Sequence, residues 1–138
     1  MKTFIFNKII RDKLYLSLPQ KCLSIDQTTL DKESFKSALI EKLQEEMEEI
    51  ADAKSSSEFK EELADVLEVL HGLARNEGIA FNEIETIRKA KHEKKGGFKT
   101  PIRINTITLD DHHPHAKYYE SKKEKYPEIN KQHDLHQQ

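Results

Sequence analysis

From about Ser34 onward, apolar residues recur at intervals of three and four: Leu39, Ile40, Leu43, Met47, Ile50 and Ala51. That spacing predicts one buried stripe of a helix, with Asp31 or Ser34 as its cap. The serine run at 55–57 interrupts the stripe and offers an N-cap to a second helix over about 57–76. Wound at about 100° per residue, Phe59, Leu63, Val66, Leu67, Val69, Leu70, Leu73 and Ala74 share one broad face of that helix. Gly78 suits the left-handed position that ends it. A third helix over about 81–95 carries Ile84, Ile87 and Ala90 on one side, and Gly96-Gly97-Phe98 stops it. Ahead of these, residues 3–10 (TFIFNKII) read as a short strand or extended arm. An irregular connection follows the arm, since Pro19 disfavours a continuous helix there. Residues 102–109 (IRINTITL) alternate well enough for a short strand, pairing with the N-terminal TFIF. From Asp110 the chain turns polar, with Pro114 and Pro127, and reads as a mobile tail or one marginal helix. The reading is an all-α domain over 1–109 with a short extended arm, followed by a tail over 110–138.

Composition narrows this picture. The 138 residues are 35% charged and 36% hydrophobic, with mean hydropathy −0.81. That suits helices with wet outer faces around a small core. Three helices cover such a core poorly, so the hairpin and third helix are expected to complete a four-helix-type bundle as a dimer or tetramer. A net charge of −2 gives no general attraction to nucleic acid or an anionic membrane. No run approaches the roughly 20 apolar residues of a membrane span. Cys22 is the only cysteine and cannot form an internal disulfide, which fits a cytoplasmic setting.

One feature does not fit a plain amphipathic hairpin. Glu62 projects into the apolar face of the second helix, and Asp65 lies at its edge. On the first helix, Glu46 lies beside the stripe of Leu39, Leu43 and Ile50, and Glu49 is one turn further along the same flank. Glu45 points more nearly away, and Glu48 points to solvent. An antiparallel hairpin turns these two acidic pairs toward each other. Four carboxylates in one groove repel and are costly to desolvate unless a cation neutralises them. A hard divalent ion with oxygen ligands answers that need: Mg²⁺, with Mn²⁺ as a substitute. The bland alternative is a solvated Glu-rich face, with Glu62 at the bundle edge or paired to a lysine.

The pattern ExxE at 46–49 followed by ExxD at 62–65, with Glu45 and the phrase EELADVLEVL, resembles the MazG-like all-α nucleoside triphosphate pyrophosphohydrolases. FNKIIRDK at 6–13 is similar to the N-terminal segment of a house-cleaning branch of that superfamily. KHEKKGGF at 91–98 is similar to that branch's run ending in RGGF, with Lys95 in place of arginine. The resemblance spans roughly residues 4–109. It implies that Glu46, Glu49, Glu62 and Asp65 hold Mg²⁺, and that a nucleoside triphosphate, including non-standard ones, is cut to the monophosphate and pyrophosphate. It gives Glu45 the role of orienting the attacking water or accepting its proton. Arg11, Lys13, Lys91 and Lys95 would face the phosphates, and Asn7 the base or sugar.

Two rival readings stay open: a phosphoribosyl-ATP pyrophosphohydrolase, and a non-catalytic helical module whose acidic groove binds metal or a basic partner. Glu68 and His71 have the ExxH spacing of di-iron bundles, but Glu68 points away from the apolar face. Histidines 112, 113, 115, 133 and 136 crowd the tail without a ligand spacing on one helix face, which reads as adventitious metal binding.

Overall fold

The computed structural model describes residues 1–129. Among them the chain is helical and has no strand: α1 (Asp12–Ser17), a 3₁₀ turn (Leu18–Gln20), α2 (Lys32–Asp52), α3 (Ser56–Asn76), α4 (Phe81–Lys95) and α5 (Pro114–Glu120). They fall into two compact units, Met1–Gly96 and the described residues from Gly97 onward.

Within the first unit, capping fixes the helix ends. Asp31 is the cap of α2, its carboxylate accepting from the Ser34 backbone N–H at 2.8 Å. Ser55 caps α3 by accepting from the Glu58 N–H at 3.1 Å. Glu58 in turn reaches back to the Lys54 N–H at 2.9 Å, a variant of the reciprocal box in which cap and third residue each satisfy an orphan donor. At the other end of α3, the Ile79 N–H bonds to the Ala74 carbonyl and the Gly78 N–H to that of Arg75. Gly78 itself sits at φ +71°, in the left-handed region, which completes a Schellman stop.

α2 and α3 form the main packed pair, and α4 leans on α3. The pairing runs antiparallel. Asn76 Nδ2 donates to the Lys32 carbonyl at 3.0 Å, Gly72 lies against Leu39, and Glu62 lies against Glu46. A methyl group at Gly72 would come within 3.2 Å of a Leu39 Cδ, so glycine permits the close approach of the helices there.

Several expectations change. Residues 102–109 and the arm form no strand, and Phe4, Ile5, Ile102 and Ile104 are exposed. β-branched residues favour a pleated surface, but a strand needs a partner for its ladder. The connection after RDK is partly ordered: α1 ends at Ser17, and Pro19 falls in the first turn of the 3₁₀ segment, where its missing N–H costs nothing. The apolar stripe of α2 is buried only at Leu39, while Ile40, Met47 and Ala51 are exposed. On α3, Val69 and Ala74 are buried, but Phe59, Leu63, Leu67 and Leu70 face solvent in the single chain.

Among its described residues the second unit has one short helix, α5, opened by the His113 imidazole accepting from the His115 N–H. Tyr119 of α5 packs edge to face with Tyr118 and with Tyr126. His133 and His136 lie outside the described residues. No helix is long and apolar enough to cross a membrane among the described residues.

Candidate metal centre

The antiparallel register carries the acids of α2 and α3 to the same level of the hairpin, near its loop. Glu46, Glu49 and Glu62 each present a carboxylate oxygen within 4.8 Å of the others. Glu46 is 4% exposed and is the buried charged residue of the described chain. Its Oε2, and Oε2 of Glu62, are buried with no hydrogen-bond partner. Two such acceptors, on residues clustered with a third carboxylate, are expensive unless a cation or protons satisfy them.

The proton answer shows in Glu62. Hydrogen bonding to Glu49 in the protonated form, then burial, then the charges of Glu49, Asp65 and Glu46, push its carboxyl up to about 7. A divalent cation is the other answer, and the oxygen-only donor set suits a hard ion. The residues present therefore fit a divalent metal.

The fourth acid of the motif stands slightly apart. Asp65 accepts from Arg11 Nη2, so the arm brings a cation to the α3 side of the cluster. On the α2 side, Lys8 Nζ donates to Glu45 Oε1 at 2.9 Å. Lys42 Nζ lies 3.0 Å from Glu46 Oε1 and 3.6 Å from Glu45 Oε1. Bonding to Lys8 holds the Glu45 carboxyl below the usual range, more than its slight burial raises it.

Of the other cations named from sequence, Lys13, Lys91 and Lys95 are exposed and make no ion pair with described residues. Asn7 adopts a left-handed backbone at φ 46°, which asparagine tolerates better than most residues. Glu68 and His71 do not come together as ligands; the His71 ring stacks on Phe81 with centroids 3.6 Å apart, tying α3 to the start of α4. No histidine joins a metal-binding group among the described residues.

Sequence reasoning missed Lys8 and Lys42. Lys42 carried a signal, the i, i+3 and i, i+4 spacing to Glu45 and Glu46. Lys8 carried none, since 37 residues separate it from Glu45.

Residues 13–92, more than half of the chain, match the phosphoribosyl-ATP pyrophosphohydrolase family. No curated protein and no solved structure matches the chain.

Proposed function

The chain belongs to the phosphoribosyl-ATP pyrophosphohydrolase family, within the MazG-like all-α superfamily, and is a nucleotide pyrophosphohydrolase; on that premise we propose that it cuts nucleoside triphosphates, non-standard ones included, with Mg²⁺. The observation that carries this is the buried, unpartnered pair Glu46 Oε2 and Glu62 Oε2 beside Glu49.

Glu46, Glu49 and Glu62 would hold the ion, with Asp65 as fourth ligand. Bound Mg²⁺ supplies charge neutralisation for the phosphates and a lowered pKa for the attacking water; Mn²⁺ would substitute. The water oxygen forms a new bond to phosphorus, and the P–O bond of the bridge between the α- and β-phosphates breaks. The products are a monophosphate and pyrophosphate. Glu45, kept ionised by Lys8, orients the water through an accepted hydrogen bond, and its depressed basicity makes it a weaker proton acceptor. Arg11 would exchange its Asp65 contact for a phosphate oxygen, where guanidinium binds in bidentate fashion. Lys13, Lys91 and Lys95 add positive charge for the polyphosphate, and Asn7 meets the base or sugar.

A second substrate reading rests on the matched family's own name, which favours phosphoribosyl-ATP. The match begins at residue 13 and omits Lys8 and Arg11, the arm residues that reach the acids. A panel of standard and modified nucleoside triphosphates and phosphoribosyl-ATP, read by pyrophosphate release, decides between them. Turnover confined to phosphoribosyl-ATP replaces the first reading, and no turnover of any member overturns both.

The exposed Met47, Phe59, Leu63 and Leu67 support assembly with further copies into a four-helix-type core, as dimer or tetramer. Light scattering at micromolar concentration tests this, and a strictly monomeric mass contradicts it.

A further inference from the structure

Lys42 stands where simple electrostatics would not put it. A fixed positive charge beside a cation site weakens cation binding by Coulomb repulsion. Its ammonium lies 3.0 Å from Glu46 Oε1, and only 28% of its side chain is exposed. A lysine ammonium is ordinarily charged at neutral pH, and the groups it touches here are two carboxylates.

The geometry gives that charge a task. Glu46 is a buried carboxylate beside two others, and repulsion turns such a group away from its neighbours when its side chain is free to rotate. The ammonium one helical turn back takes Oε1 and leaves Oε2 as the unpartnered oxygen. Glu45 lies on the same ammonium at 3.6 Å, through the Oε1 that also accepts from Lys8 at 2.9 Å. The arm, Glu45, Lys42 and Glu46 thus form one chain of alternating charge ending at the cluster.

We propose that Lys42 is a positioning residue: by holding one oxygen of Glu46 it keeps the other turned toward Glu49 and Glu62 for the metal. This rests on the metal reading above, in which Glu46 is a ligand.

The test is Mn²⁺ titrated into metal-free protein, with free Mn²⁺ followed by its paramagnetic resonance and folding checked by circular dichroism. Lys42→Met removes a repelling positive charge, so charge alone would tighten binding. Positioning instead weakens it, by about tenfold or more, as for loss of partners that orient metal ligands. Lys42→Arg keeps the ion pair and restores most of the affinity. If Lys42→Met does not fold, Lys42→Gln is read in the same way and also binds more weakly. Unchanged or tighter Mn²⁺ binding in a folded variant, even with lowered stability, overturns the proposal. If the unsubstituted protein binds no Mn²⁺, the metal reading itself fails, a different result from equal binding by both proteins.

Discussion

The two ends of the α2–α3 hairpin handle charge in opposite ways. Where α2 begins and α3 ends, Glu77 is shared by Lys32 at 3.6 Å and Lys36 at 3.5 Å, and Asn76 ties the α2 backbone across the groove. Cations outnumber the acid, and every group in these pairs is partly wet. Near the loop, five acids (Glu45, Glu46, Glu49, Glu62 and Asp65) meet three cations (Lys8, Arg11 and Lys42), and two buried oxygens go unpartnered. The first end is what a helix pair needs to close. The second is unfavourable for folding, and the acidic surplus makes sense as a cation site.

The largest expected effect separates the ends most sharply. Glu46→Gln would remove a proposed ligand outright, so pyrophosphate release is expected to fall by at least about a hundredfold, beyond the 10–100-fold typical of groups behind the ligands. The same change relieves repulsion, so the melting temperature of the metal-free protein holds or rises. Unchanged turnover in steady-state assays would sink the assignment of Glu46.

Arg11→Gln comes next. A buried donor aimed at developing charge is worth about 10²–10³ in rate. Arg11 is 56% exposed, so a loss of roughly tenfold to a hundredfold in kcat/KM is expected. Equal kcat/KM in the two proteins removes Arg11 from the phosphate site.

A pH scan of the metal-free protein gives a smaller effect. The Glu62 carboxyl is raised from 4.5 to about 7 in the folded chain, so between these values the native state holds more proton than the unfolded one. Stability therefore falls as pH rises from about 4.5 through 7. Glu62→Gln should flatten that fall, and Mg²⁺ should oppose it. A melting temperature that climbs over this interval, or the same slope in Glu62→Gln, contradicts the shared-proton picture.

The smallest effect belongs to the paired end. Exposed ion pairs are worth about 0–1 kcal/mol, so Glu77→Gln should change stability by no more than that. Activity should stay as it was. A drop in turnover comparable to that of Glu46→Gln would erase the distinction between the two ends.

The hairpin itself was legible because its signals are local. Apolar spacing, the serine cap and Gly78 all act within a few residues, and the acidic pairs follow from helical winding. What the sequence concealed depends on contacts distant along the chain. Lys8 and Arg11 reach Glu45 and Asp65 from an arm whose composition read as strand. Residues 102–109 have strand-forming side chains and no strand beside them among the described residues. The apolar stripes were correctly placed, but half of each is exposed in one chain, because periodicity marks an apolar face without saying what covers it. Lys42 differs from Lys8 in this respect, since its i, i+3 and i, i+4 spacing to Glu45 and Glu46 is a local signal.

On the reading proposed above, the acid-rich end is a divalent-metal site for cutting a nucleotide between its α- and β-phosphates. Phosphorus NMR of a nucleoside triphosphate incubated with the chain and Mg²⁺ addresses it directly. The expected spectrum gains monophosphate and pyrophosphate signals in equal amounts, and a chelator stops their growth. Orthophosphate and diphosphate as products, or pyrophosphate formed at the same rate with the chelator present, would contradict it.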